Sequence, residues 1–154
     1  MFNLTTETID HLKESVELDN PAAGGLVYFE GRVRNHNDGL EVSSLEYQCY
    51  ESMAQKEGEK IVKHALALFN IHFAKCIHRY GHLQIGEVAI WIGVSSSHRR
   101  EAFNACQYIV SEIKSYVPIW KKEHYINNKA EWVACHRCKD YSDSHVHKEH
   151  HGRT

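Results

Sequence analysis

The residues best suited to chemistry lie in the stretch KSYVPIWKKE, residues 114–123. Lys114 closes a helical pattern, Pro118 breaks it, and Lys121 and Lys122 follow directly on Trp120. Val117, Ile119 and Trp120 are residues that bury. A lysine at the edge of such an apolar wall loses hydration, which lowers its pKa and suits it to act as a base or nucleophile. The same lysines also fit a solvated cluster after a helix, so the rest of the chain has to discriminate.

Two further groups of cations do so. Arg32 and Arg34 end one strand pattern, and His98, Arg99 and Arg100 follow the run Ser95-Ser96-Ser97 at the start of a helix. Backbone N–H groups and the helix dipole at such a start favour an anion. Cations placed there suggest an anionic partner, or a pairing with Glu101 or a carboxylate on a neighbouring strand. Arg32 and Arg34 by themselves also fit an exposed strand face. Together the three groups suggest a pocket for a phosphorylated or carboxylated small molecule, with a lysine as the reactive group. The chain has no Walker loop, dinucleotide glycine fingerprint or Gly-x-Ser-x-Gly elbow. It gives little support to a serine or cysteine hydrolase.

The elements that must position these residues follow from the apolar spacing. Ile9, Leu12 and Val16 predict a short amphipathic helix capped by Thr5 or Thr6. Asn20, Pro21 and the pair Gly24-Gly25 punctuate the chain. Residues 26–34 alternate with period two. Val27, Phe29, Gly31 and Val33 share one face, and Leu26, Tyr28, Glu30, Arg32 and Arg34 the other. Gly31 inside this strand predicts a bulge or a close backbone approach. After the turn His36-Asn37-Asp38-Gly39 comes a strand bearing Val42, Leu45, Tyr47 and Cys49. A long helix carries Met53, Ile61, Ala65 and Leu68, with Gly58 as its weak point.

Ile71, Phe73 and Ile77 alternate again, and Tyr80-Gly81-His82 reads as a turn. Residues 88–94, VAIWIGV, read as a strand covered on both faces. The serine run caps a helix beginning at His98-Arg99-Arg100, whose core stripe is Ala102, Cys106, Ile109 and Ile113, widened by Phe103 and Val110. At about 100° per residue, Lys114 projects within roughly 20° of Phe103, at the rim of that stripe. Ile119 and Trp120 open an extended segment, and residues 131–134 form a final strand.

The chain of 154 residues fits one domain, residues 1–134. Residues 135–154 are polar and histidine-rich and read as a mobile tail. In that tail Cys135-x-x-Cys138 with His136, His145 and His147 invites a zinc reading, but apolar residues to pack around a metal are lacking. No metal and no cofactor is expected. The formal net charge of -2 argues against bulk nucleic-acid binding. No apolar run reaches the roughly 18 residues of a membrane span, and no leader signal precedes the first helix. Five cysteines, an odd number, point to free thiols in a reducing, cytoplasmic compartment. Cys49, Cys76 and Cys106 read as packing residues.

With these residues in view, the chain resembles the large, catalytic subunit of molybdopterin synthase. The resemblance rests on VYFEGRVRNHNDG, LEYQCYESMA, IHRYGHLQIGE, VSSSHRREAF and KSYVPIWKKE followed by EW, and covers roughly residues 22 to 133. It implies an α+β fold: an α/β-hammerhead with an additional antiparallel β portion. It also implies a homodimer at the centre of a heterotetramer, each end holding a small ubiquitin-like sulfur-carrier subunit. The carrier's C-terminal Gly-Gly thiocarboxylate would enter the pocket and give its sulfur to cyclic pyranopterin monophosphate, two rounds forming the dithiolene of molybdopterin. By motif, Arg32, Val33 and Arg34 would line the substrate site. His98 and Arg99 would bind the pterin phosphate or position the carrier tail. Lys114 would be the main catalytic lysine with Lys121 as the second, and Lys121, Lys122 and Glu123 would complete the pocket, Lys121 also clamping substrate.

The sequence departs from the family at Asn127-Asn128-Lys129-Ala130, which stands where a glycine turn is common, and in the Cys/His tail. Two rivals remain at this stage. One is a non-catalytic module that binds a ubiquitin-like tail or a phosphorylated ligand; the other is a zinc-dependent role centred on the tail.

Overall fold

A computed structural model of the chain describes residues 1–127 and 130–133. The tail motif with Cys135 and Cys138, and the middle of the 127–130 turn, lie outside the described residues. In chain order the elements are β1 (Phe2–Thr5), α1 (His11–Ser15) with a 3-10 turn (Val16–Leu18), β2 (Gly25–Arg32), β3 (His36–Asn37) and β4 (Leu40–Cys49). Then come α2 (Glu51–Leu68), β5 (Phe73–Arg79), β6 (Gly81–Gln84), β7 (Val88–Ser96), α3 (Arg99–Tyr116), β8 (Ile119–Tyr125) and β9 (Ala130–Val133).

Two sheets result. The first has the order β1-β5-β7-β2, with β1 parallel to β5 and the other pairs antiparallel. The second runs β3-β4-β8-β9, with β6 also paired to β4. This is the α+β division expected of a hammerhead with an added antiparallel portion. α2 and α3 cover one face of the first sheet and bury Phe2, Val62, Ala65, Ile92, Val94 and Ile109 against it. α1 and the 3-10 turn cover its other face, where Ile9, Leu18, Ile77 and Trp91 pack together. β7, central and covered on both sides, is buried along nearly its whole length, which is why its sequence is almost continuously apolar.

The first twenty residues correct the sequence reading. Phe2–Thr5 is a strand, and α1 begins later, with the Asp10 side chain accepting from the Leu12 N–H at 3.0 Å. Leu12 and Val16 are exposed, at 76% and 65%, so no apolar stripe runs through them. The short segment is held instead by Ile9 and Leu18, and by Lys75, whose ammonium donates to Glu14 and Glu17 at 2.6 Å each. In α2 the buried face is Ala54, Gly58, Ile61, Val62 and Ala65, while Met53 and Leu68 are exposed. Gly58 is therefore a packing position: a Cβ there would fall inside the van der Waals envelope of the Phe2 ring. Phe103, expected to widen the α3 stripe, is also exposed. Cys76 and Cys106 are buried free thiols and Cys49 packs against the same core, as expected of small apolar residues. Burial pushes the Cys106 thiol up to about 11, so it stays protonated and inert.

The bulge predicted at Gly31 is present: the pairing of β2 with β7 slips between Gly31 and Arg32. A side chain at Gly31 would collide with Ile90 on β7. A second slip, between Val42 and Ser44, explains why the apolar phase of β4 changes between Val42 and Leu45. Asp38 and Gly39 both take positive φ, 48° and 78°, as a two-residue hairpin between β3 and β4 requires.

Candidate active site

The junction of the two sheets and the end of α3 encloses a cavity of about 350 Å³. Its placement follows from three local decisions in the sequence. Pro118 cannot continue a helix, so α3 stops and the chain enters β8 within three residues. Lys114 on the last turn of α3 and Lys121 on β8 thereby reach the same cavity. In β8 the period of two sends Ile119, Lys121 and Glu123 into the cavity, and turns Lys122 to the other face, over the ring of Trp132 at 5.5 Å. At the end of β2 the bulge carries Arg32, and the following loop Arg34, to the same wall.

Of the residues expected at the site, Arg32, Arg34, Lys114, Lys121 and Glu123 come together. Val33 and Lys122 do not line the cavity. Val33 is buried with Val42, Leu45 and Leu83 in the core between the sheets, its N–H bonded to the Glu87 carbonyl at 3.0 Å. His98 and Arg99 stand at the opposite end of α3, sixteen and fifteen residues before Lys114, which is about 23 Å along a helix. Within one chain they do not share the site. Nor do the serines cap this helix: Ser95 and Ser96 end β7, and His98 occupies the N-cap without a side-chain hydrogen bond to the helix. Gly24 and Gly25 instead press the start of β2 on this corner, where a Cβ on Gly25 would meet the Arg99 backbone at 3.2 Å.

Glu123 is the anchor of the site. It is 3% exposed. Its Oε2 accepts from the Asn37 amide at 3.0 Å and from the Tyr125 hydroxyl at 2.6 Å, while Oε1 faces the Lys121 ammonium at 3.5 Å. A buried carboxylate is tolerated only when its oxygens are so occupied. The result is a lysine side chain, 19% exposed, held on a fixed strand. The β3–β4 hairpin supplies Asn37, so the Asp38-Gly39 turn is part of what fixes Lys121.

Lys114 differs from the expectation. It is exposed in the chain, at the mouth of the cavity, because Ile113 and Val117 cover the apolar stripe and the longer side chain extends past them. Loss of hydration is therefore not a property of Lys114 in the chain alone. Arg32 is also engaged: its Nε and Nη2 donate to Glu30 at 3.0 and 2.7 Å.

The sequence reading missed His36, Tyr47 and His78 as lining residues. His78 is buried at the end of β5, edge-on to the Tyr47 ring at 5.2 Å. Its Nδ1 lies 2.9 Å from the Arg79 carbonyl, which can only accept, so Nδ1 carries the proton. Burial first, and then the charge of Lys114, holds the imidazole down to about 4, against the raising effect of that backbone bond. The signal in the sequence was a polar residue in phase with Ala74 and Cys76 on the core face of a strand. The cavity thus joins an apolar floor, including Leu45, Ile90 and Val117, to a rim of lysine and arginine and one neutral imidazole. Such a site suits an anionic molecule with a flat, less polar body.

Comparison with known proteins shows the family of the chain. A family model described as MoaE protein matches residues 4–116. The molybdopterin synthase catalytic subunit of Pyrococcus abyssi is 46% identical over 114 residues, which are 73% of this chain and 77% of that one. Among solved structures, molybdopterin synthase from Staphylococcus aureus superposes with a TM-score of 0.78 at 34% identity, over 84% of this chain and 94% of that chain. A complex of subunits 1 and 2 of molybdopterin-converting factor from Helicobacter pylori has a TM-score of 0.67 at 21% identity, over 86% and 89% of the two chains, a likeness of fold alone. By sequence and by structure, the chain belongs to the MoaE family, the family of the molybdopterin synthase catalytic subunit.

Proposed function

We propose that this enzyme of molybdenum cofactor biosynthesis is a sulfurtransferase. The thiocarboxylated C-terminus of a small ubiquitin-like carrier enters the cavity, and its sulfur passes to cyclic pyranopterin monophosphate to build the molybdopterin dithiolene. The observation that carries this reading is the convergence of Lys114, Lys121, Arg32 and Arg34 on one cavity with an apolar floor. Both reactants are anions, which accounts for a cationic pocket in a chain of net charge -2.

Lys121, fixed by Glu123, clamps the substrate. Lys114, at the mouth, transfers a proton or stabilises charge as the thiocarboxylate attacks and the cyclic phosphate opens. Docking of the carrier tail would cover Lys114 and remove the water that surrounds it in the free chain. His98 and Arg99 lie too far along α3 to act on Lys114 of their own chain. In the proposed homodimer at the centre of a heterotetramer, they would serve the pocket of the second copy, binding phosphate or the carrier tail. No helix of the described residues is long and apolar enough to cross a membrane. The free thiols Cys49, Cys76 and Cys106 suit a reducing cytoplasm.

The test is a reconstituted reaction of the chain with thiocarboxylated carrier and cyclic pyranopterin monophosphate. Lys114→Ala should lose at least about 100-fold in kcat, the usual scale for a lost proton-transfer group. Lys122→Ala should cost less than Lys121→Ala. Near wild-type product from Lys114→Ala would remove the role assigned to that lysine. Proportional loss of binding and turnover across Lys114, Lys121 and Arg34 variants would favour the rival binding module.

A further inference from the structure

The polar groups of the cavity are unevenly committed. Arg32 donates to Glu30, and Glu123 accepts from Asn37 and Tyr125 and faces Lys121. His36 is bonded through Nδ1 to Asn35 at 2.9 Å. His78, buried at the end of β5, offers the cavity a neutral, rigidly held acceptor. Its Nδ1 is fixed as the donor to the Arg79 carbonyl, which leaves a lone pair on Nε2. Nε2 has no hydrogen-bond partner among the described residues. Nor is it one of their sealed atoms without a hydrogen bond, which belong to Arg79, Ser95 and His124. It therefore opens on the cavity that His78 lines.

Two roles compete for that lone pair. As a base it is poorly suited, because an imidazole that resists protonation down to about pH 4 stores no proton near neutrality. As an acceptor it is well suited. The surrounding cations cannot accept: Lys114 from α3, Lys121 from β8, Arg32 from β2 and Arg34 from the loop beyond it. An N–H presented to the apolar floor of the cavity would otherwise lose its hydrogen bond to water without replacement.

We infer that His78 is a specificity-determining residue of the pocket, its Nε2 accepting a hydrogen bond from an N–H of a nitrogen heterocycle whose anionic end lies at the cationic rim. The inference rests on the sulfur-transfer reading and adds to it the orientation of the small-molecule substrate: heterocycle inward over Leu45 and Ile90, phosphate outward. No bond is made or broken at His78.

The experiment uses the full chain with its thiocarboxylated carrier and measures KM for each reactant separately, from pH 6 to 9. His78→Leu, folded by circular dichroism, should raise KM for cyclic pyranopterin monophosphate roughly 10- to 100-fold, the scale of one buried donor left unpaired. KM for the carrier and the pH profile should stay as in wild type, and His78→Gln, which retains an acceptor, should recover most of the loss. An unchanged KM for the pterin in folded His78→Leu overturns the inference. So does a rise in the carrier's KM instead, which would assign Nε2 to the peptide tail. A fall in kcat with a displaced pH limb also overturns it, by making His78 a partner of Lys114. Histidine ¹⁵N spectra of the wild-type chain need no variant: the unprotonated Nε2 signal should move on adding the pterin, and a stationary signal refutes the contact. Failure of the wild-type chain to form product would instead count against sulfur transfer itself.

Discussion

Removing the Glu123 carboxylate tests whether Lys121 is held by the buried network or simply projects from a strand. Glu123→Ala leaves three groups behind: the Asn37 amide, the Tyr125 hydroxyl and the Lys121 ammonium. Asn37 and Tyr125 are buried, and Lys121 is mostly so. Each orphaned buried donor costs about 1–3 kcal/mol, and breaking a buried charge pair costs about 3–5 kcal/mol. Because these losses overlap in one network, the expected total is about 3–5 kcal/mol. For a chain of this length that lowers Tm by roughly 10 °C. Glu123→Gln behaves differently. The Asn37 and Tyr125 bonds converge on a single oxygen, which an amide oxygen can replace. The new amide NH₂ then faces Lys121, where a carboxylate oxygen stood 3.5 Å away. Stability should fall by only about 1–2 kcal/mol, while Lys121 loses its carboxylate partner and, if it clamps substrate as proposed, turnover drops as far as in Lys121→Ala. Chemical denaturation of both variants, with kcat and KM from the reconstituted reaction, decides the matter. Equal destabilisation by Ala and Gln, or a loss below about 1 kcal/mol in Glu123→Ala, would refute the network as the source of order at Lys121.

Two further outcomes follow from packing and protonation. His78 binds its proton near 6.5 in the unfolded chain but only at about 4 when folded, so the unfolded state gains the proton first. Its stabilising contribution is complete above pH 6.5 and is lost as the pH falls toward 4, by about 3 kcal/mol in all. Unfolding free energies of wild type and His78→Leu at pH 7 and pH 4 should show that increment only in the wild type; equal pH dependence in both would remove His78 as its origin. Gly58→Ala should destabilise by about 1–3 kcal/mol although alanine favours helix, because its Cβ meets the fully buried Phe2 ring. Adding Phe2→Leu should recover part of the loss in a thermal melt, and a stabilised Gly58→Ala single variant would contradict the packing.

Much of the scaffold was legible in the sequence because its signals are local. The continuous apolar run of β7, the bulge glycine at position 31, the Asp38-Gly39 turn and the proline after α3 each act through backbone geometry within a few residues. Where the reading failed, a distant partner decided. Phe2–Thr5 is a strand only because β5 offers it a parallel edge, and Leu12 and Val16 are exposed because α1 is held by Ile9, Leu18 and the Lys75 ion pairs.

The site divides in the same way. Sequence alone determined which residues carry the charge: the lysines around Pro118, the strand-end arginines and the basic group at the start of α3. It placed Lys121, Lys122 and Glu123 together in the pocket, whereas in the folded β8 Lys121 and Glu123 face the cavity and Lys122 the ring of Trp132. Tertiary structure decided the rest. It brought Arg32 and Arg34 to Lys114 and Lys121, and left His98 and Arg99 at the far end of α3 from Lys114. It set Asn37 and Tyr125 on the Glu123 carboxylate and turned His78 from a strand residue into a neutral acceptor in the cavity wall. The physical reason is that charge and periodicity are written along the chain, whereas desolvation and hydrogen-bond commitment exist only once segments far apart in sequence are packed together.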